Sequence, residues 1–183
     1  YTYVEPFSGG GSSWLFVLQK YHPKRMIVND INPNVINLWR CIKYSSKELC
    51  GELDSIISNY LNLDWDGRKE YFLNLRKSFN DKKDVLNGSN TDVRLAAEFL
   101  FLNKTCFNGL WRTNSKGEFN TPFGKPINLN KEPNIYDKAK TYLETYDDYF
   151  FSTTLKADEK KHLTDKWFAA RSLTAIAEHD NYH

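Results

Sequence analysis

Two stretches of this 183-residue chain bring together residue types that can hold or read a ligand. The first is Glu5-Pro6-Phe7-Ser8-Gly9-Gly10-Gly11-Ser12-Ser13, which follows the strand-like Tyr3-Val4 and precedes a helical stretch with Trp14, Leu15, Val17 and Leu18. Backbone without Cβ atoms lets a ligand approach closely, and the next helix offers its first amide N–H groups. Asp30 stands 20 positions beyond Gly10, at the end of a second apolar segment, Arg25-Met26-Ile27-Val28. An acidic side chain there can accept both ribose hydroxyls of a nucleoside. The third glycine of a dinucleotide fingerprint is absent. The pattern therefore favours a cofactor without a pyrophosphate, such as S-adenosylmethionine, over NAD. The plain alternative is a glycine-rich turn that packs closely against a neighbour.

The second stretch, residues 108–125, is rich in Gly, Asn and Thr and carries Arg112, Lys116 and Lys125. Asn114-Ser115-Lys116-Gly117 reads as a turn between two short strands, a β-hairpin. Arg112 is the natural base reader, because a guanidinium can contact guanine O6 and N7 together. Phe107 and Trp111 flank it and could stack on bases or wedge between them. Lys104, Lys116 and Lys125 could meet phosphates. Taken singly, Phe107 and Trp111 read as core and the lysines as a solvated face. Their combination on one hairpin favours nucleic acid.

The surrounding pattern supplies a scaffold for both stretches. Strand, glycine loop, helix and second strand form the βαβ signal of a parallel sheet. Ile31-Asn32-Pro33 then turns the chain into a helix through Val35, Ile36, Leu38 and Trp39. Ser45 and Glu48 offer a capping box for a helix carrying Leu49, Leu53, Ile56, Ile57 and Leu61. Further helices are expected over 69–79, after a cap at Thr91, over about 136–145, and from Ala157. Tyr149-Phe150-Phe151-Ser152 reads as another strand. The whole predicts an α/β fold with an inserted helical and hairpin region, divided as 1–45 with 146–183 and, between them, 46–145.

Composition narrows the class. Hydrophobic residues make up 40% and charged residues 26%, ordinary for a globular protein, and 25 Lys and Arg against 23 Asp and Glu give a net charge of +2. Any affinity for nucleic acid must then come from a local basic face. No run approaches the 18 or so apolar residues of a membrane span, and no secretory leader is seen. Cys41, Cys50 and Cys106 are odd in number and irregularly spaced, which fits a reducing cytoplasm and argues against a zinc site or disulfide framework. His179 and His183 are four apart but lack a third ligand, His162 lies on a charged helix, and Asp147-Asp148 reads as a solvated turn, so no metal is expected.

Three segments, in this order, resemble the adenine-specific DNA methyltransferases of the Dam-like (D12) class. Glu5-Pro6-Phe7-Ser8-Gly9-Gly10-Gly11-Ser12 is similar to that family's cofactor motif. Val28-Asn29-Asp30-Ile31-Asn32-Pro33 is similar to its second motif, whose aspartate holds the ribose. Phe107-Asn108-Gly109-Leu110-Trp111-Arg112, followed by Gly117-Glu118-Phe119-Asn120-Thr121-Pro122-Phe123-Gly124-Lys125, resembles its target-recognition hairpin. The resemblance covers roughly residues 1–152. It implies a Rossmann-like, S-adenosylmethionine-dependent enzyme that methylates N6 of adenine in duplex DNA. Gly9, Gly11 and Asp30 would bind the cofactor, with Phe7 and Ser8 beside it and Ile31 against its adenine. Asn108, Leu110, Arg112, Pro122 and Lys125 would face DNA, with Phe107 stacking. An arginine at this place reads guanine in GATC-methylating members, so GATC is the expected site. A restriction endonuclease is a conceivable partner within this family.

The sequence departs from the family at one decisive place. The Asp/Asn-Pro-Pro-Tyr catalytic motif is absent, and no Pro-Pro pair occurs anywhere in the chain. The family's upstream Lys-Trp-x-Gly-Gly-Lys segment is absent too, and no Met precedes Tyr1. The catalytic residues are therefore unassigned, and the expectation is that both segments belong to the intact protein. A catalytically inactive DNA- or cofactor-binding subunit is the alternative. A nucleotide-dependent oxidoreductase would rest on the glycine loop alone and leave the hairpin unexplained.

Overall fold

In a computed structural model, residues 1–82, 84–86, 90–124 and 149–152 are described. The helices expected over 136–145 and from Ala157, together with Lys125, Asp147-Asp148 and the three C-terminal histidines, lie outside them. The strand expected at 149–152 is present.

Strand β1 (Thr2–Glu5) is followed by helix α1 (Ser12–Tyr21) and strand β2 (Arg25–Asn29). Among the described residues, strand β3 (Tyr149–Ser152) joins them in a parallel sheet of order β1-β2-β3. Met26, Ile27 and Val28 of β2 are all buried, as a continuous apolar run in a central parallel strand should be. Parallel neighbours need a crossover, and α1 supplies it between β1 and β2. The register pairs Glu5 with Val28 and Asn29 with Ser152. All three strands therefore end on the same edge. The loops after β1 and β2 emerge side by side there, which brings the glycine stretch next to Asp30.

Helix α2 (Pro33–Tyr44) begins where the Asn32 side chain accepts from the Asn34 amide at 3.0 Å, with Pro33 in the first turn. Helices α3 (Ser46–Leu61), α4 (Trp65–Asp81) and α5 (Val93–Thr105) follow. Three local expectations change. Ser45 makes no side-chain cap: it is the junction residue, with φ −142° and ψ 35°, its amide ending α2 on Cys41 O while its carbonyl receives Leu49 N. α4 starts at Trp65 and not at residue 69, since Asp64 caps it on the Gly67 amide at 2.9 Å. Asp92, not Thr91, caps α5, accepting from Leu95 N at 2.8 Å.

One cluster of buried side chains runs from Trp14 and Leu18 of α1, through Met26 and Val28 of the sheet, into the helices and on to Phe119. Aromatic edges lock it, as where Tyr60 of α3 meets Phe101 of α5 at 5.3 Å between ring centres. Two buried polar groups set the helix positions. Asn37 of α2 donates from Nδ2 to Asp92 O and accepts the Asp92 amide at Oδ1, both at 2.8 Å. Glu98 of α5, 2% exposed, receives Lys82 Nζ and Arg94 Nε, each at 3.1 Å. Arg94 passes the tie on to Glu52 of α3 at 2.8 Å.

Replacing Asn37 with Leu leaves the Asp92 N–H and C=O without the amide that pairs them. Loss of about 2 kcal/mol is expected, read as a lower urea midpoint. Burial, with a smaller contribution from Asp92, pushes the Cys41 thiol up to about 11. Since only the thiolate alkylates, Cys41 is expected to resist iodoacetamide at pH 8 in the folded chain. It should react once urea unfolds the chain, as peptide mass analysis would show.

Candidate functional site

The glycine loop, residues 6–11, is tied down on every side. Ser8 N donates to Asn29 O at 2.8 Å, and Asn29 Nδ2 donates back to Pro6 O at 3.0 Å. Gly9 N donates to Asp30 Oδ2 at 2.8 Å. The other carboxylate oxygen of Asp30 accepts Asn32 N at 2.9 Å, so this one side chain links the first loop to the start of α2. From the opposite side, Trp14 Nε1 donates to Ser8 Oγ at 3.0 Å and Trp39 Nε1 to Gly9 O at 3.1 Å. The two indoles meet edge to face at 4.7 Å. Glu5 closes the strand end, accepting Phe7 N at 3.2 Å and the Tyr3 hydroxyl at 3.0 Å. Burial first, and the Glu5 carboxylate second, raise the Tyr3 phenol well above its ordinary value.

The predicted cofactor residues divide into two groups. Phe7 and Ile31 stand at the surface, 72% and 89% exposed. Gly9 is exposed in a left-handed conformation with φ +45°, and a Cβ at Gly9 or Gly10 would meet nothing within 4 Å. Asp30 is half-buried between them. These residues surround open backbone, a carboxylate and two apolar side chains, which is a chemistry able to hold a nucleoside. Ser8 and Gly11 face inward instead. The Ser8 hydroxyl is engaged by Trp14, and Gly11, with φ +84°, lies under Trp39, whose Cζ2 would sit 2.5 Å from a Cβ there.

The expected hairpin is present as a closed loop with two isolated antiparallel bridges, Cys106 with Phe123 and Thr113 with Phe119. Two regular strands do not form, because side chains take over much of the pairing. Asn80 of α4 donates from Nδ2 to Phe119 O at 3.0 Å and accepts Phe119 N at 2.8 Å. Arg76 Nη1 donates to Thr121 O at 3.0 Å. Asn114 closes the turn by accepting Lys116 N and Glu118 N, each at 3.0 Å. Trp111 stacks on Phe119 at 4.3 Å and packs against Phe99, so it is core and not a free stacking ring. Phe107 opens a short 3-10 turn (Phe107–Gly109) and is 51% exposed, and Leu110 is 55% exposed. Asn108 at its centre has φ +54°. Arg112, Lys104, Lys116 and Pro122 are exposed as well.

A cleft opens between the start of α2 and the hairpin, lined by neither the glycine loop nor Arg112. It measures about 420 Å³ and is lined by Asn32, Pro33 and Asn34 at the start of α2 and by Trp111, Thr113 and Lys116 of the hairpin, among others. The Asn34 Oδ1 that borders it is buried and has no hydrogen-bond partner among the described residues. Sequence reasoning missed the side chains that do the positioning: Asn29, Trp14, Trp39 and Asn80. The two tryptophans read as ordinary apolar helix positions, and no local signal marks an indole N–H aimed at a loop.

Gly11→Ala should therefore destabilise the chain by about 1–3 kcal/mol, the range for strained backbone or an overpacked core site. Gly10→Ala should leave thermal unfolding unchanged. Equal melting shifts for the two variants would contradict this division of the loop into a packed and an open part.

The family model for D12 class N6 adenine-specific DNA methyltransferases matches residues 1–167. The chain is 41% identical over 136 residues to the type II methyltransferase M.MjaIII of Methanocaldococcus jannaschii, covering 74% of this chain and 44% of that protein. It is 31% identical over 155 residues to the type II methyltransferase M1.LlaDCHI of Lactococcus lactis subsp. cremoris, covering 84% and 47%. It is 34% identical over 122 residues to the DNA adenine methylase of Serratia marcescens, covering 67% and 39%. The chain spans less than half the length of each of these relatives. With the match extending over the glycine loop, Asp30 and the hairpin alike, the chain belongs to the D12 class N6 adenine-specific DNA methyltransferase family.

Proposed function

We propose that this chain is the cofactor-binding and DNA-recognising part of an enzyme that methylates adenine N6 in duplex DNA with S-adenosylmethionine. The observation that carries the reading is the bond from Gly9 N to Asp30 Oδ2, which sets open loop backbone beside a carboxylate with spare acceptor positions at the strand ends. The described strands fit one half of a Rossmann-like doubly wound sheet, with the ligand at the carboxyl ends of β1 and β2.

The residues present fit the cofactor. The open space at Gly9 and Gly10 admits it against backbone. Asp30 already accepts two amides, yet a carboxylate offers about four acceptor positions, which leaves room for two ribose hydroxyls. Phe7 and Ile31 would flank the adenine. Bound S-adenosylmethionine supplies an electrophilic methyl on sulfur. On the DNA side, Arg112 reads guanine and makes GATC the first site to test. Phe107, Asn108, Leu110 and Pro122 face the duplex. Extruding the target adenine costs a few kcal/mol, which an exposed ring such as Phe107 offsets by filling the stack. The Asp/Asn-Pro-Pro-Tyr segment that would receive the extruded base belongs, in this reading, to the intact protein. Duplex DNA is the partner, with a restriction endonuclease as a second one in a type II system, and the cytoplasm the site of action. Among the described residues no helix is long and apolar enough to cross a membrane.

The absence of any Pro-Pro pair in the 183 residues favours one further reading, an inactive binding subunit. Transfer of labelled methyl by the intact protein to duplexes with and without GATC separates the two. Incorporation at adenine is expected. Cofactor binding without incorporation would favour the inactive subunit, and loss of both would overturn the proposal. Asp30→Ala should weaken S-adenosylmethionine binding by about 10- to 100-fold, the equivalent of one or two charged hydrogen bonds, as measured by calorimetry.

A further inference from the structure

The bridge between Thr113 and Phe119 sets the register of the hairpin. One step outward, Arg112 lies directly opposite Asn120, and Asn120 N donates to Arg112 O at 3.0 Å. Side chains alternate along each arm. Phe119 and Thr121 turn into the core, with Trp111 half-buried above Phe119. Arg112 and Asn120 fall on the opposite face, where cross-strand neighbours can touch. They do: Arg112 Nε donates to Asn120 Oδ1 at 3.0 Å. The arm that carries Asn120 is itself fixed from behind, through Asn80 to Phe119 and Arg76 to Thr121.

We infer that Asn120 is a positioning residue for base recognition, holding the Arg112 guanidinium by its Nε edge so that the Nη1/Nη2 end is presented to a guanine. The inference rests on the reading of Arg112 as the guanine contact. A guanidinium carries five N–H donors in one plane. Engaging the Nε side fixes that plane and leaves the end-on fork for O6 and N7. An exposed arginine without such an anchor would lose its rotamer freedom only on binding, at the expense of affinity for the correct base. The amide suits the task because it accepts the bond without neutralising the arginine. The full positive charge remains available for the duplex.

The test uses the intact protein, a randomised duplex library to find the preferred guanine, and anisotropy competition with duplexes in which that guanine is replaced. Arg112→Ala should abolish the preference and lower the salt slope of log affinity by about one, as one charge is removed. Asn120→Ala should reduce the preference at that single position by about tenfold, the low end of a bidentate contact's discrimination, with the salt slope unchanged. Asn120→Asp, which keeps the acceptor, should keep the preference while weakening binding to all duplexes. In the free protein, the Arg112 Nε–H resonance should exchange slowly with solvent and lose that protection in Asn120→Ala. An Asn120→Ala variant that keeps full preference, or that loses affinity equally for every duplex, overturns the inference while leaving Arg112 as the reader. A wild-type protein with no guanine preference, or an Arg112→Ala variant that retains one, sinks the parent reading and this one with it.

Discussion

The 2.8 Å bond from Gly9 N to Asp30 Oδ2 is the contact on which the site depends. It joins the loop after β1 to the end of β2, and it can form only because the two strands run parallel and finish together. The same carboxylate then reaches Asn32 N and so fixes where α2 begins. One acidic group thus orients the loop, the strand edge and the next helix before any ligand arrives. Its remaining lone pairs are the ones that the proposed ribose contact would use.

Much of this was legible in the sequence, and the reasons are local. The glycine run between a strand and an apolar helix, the buried run Met26-Ile27-Val28 and the Asn32-Pro33 helix start are short-range signals with short-range causes. Asp30 could be singled out because its distance from the loop is set by one βαβ unit. The failures are equally physical. Ser45 looked like a cap, but as the junction between two helices it takes φ −142° and ψ 35°, outside the extended backbone from which a cap side chain turns back. Thr91 looked like a cap, but the Asn37 amide holds Asp92 in the extended conformation from which its own side chain caps α5. The packing at Gly11 is a separate matter, which bears on space and not on the expected cofactor contact: a Cβ there would meet Trp39, 28 positions away in sequence. A tertiary contact of that kind leaves no mark in local pattern.

The hairpin shows the same division. Its turn was readable from Asn114 to Gly117, and the exposure of Arg112 follows from strand alternation once the register is known. What the sequence did not disclose is that side-chain amides replace a regular ladder. Asn80 occupies the backbone groups of Phe119 as a neighbouring strand would, and Asn114 occupies those of the turn. Asparagine suits this work because its amide carries one donor end and one acceptor end, like a peptide unit. The hairpin is thereby fastened to α4 and to the aromatic core through Trp111, so its exposed face is carried on a rigid support.

The register of the sheet has a kinetic side as well. β1 and β2 are joined through a single helix, whereas Val28 pairs with Phe151 across most of the chain. Closing that long excursion is entropically slow compared with closing the first βαβ unit. The loop bonded to Asp30 is thus assembled from contacts close in sequence, whereas β3 pairs across a long intervening stretch. In a chain emerging from the ribosome, the contact between Gly9 and Asp30 is able to form before β3 has been synthesised.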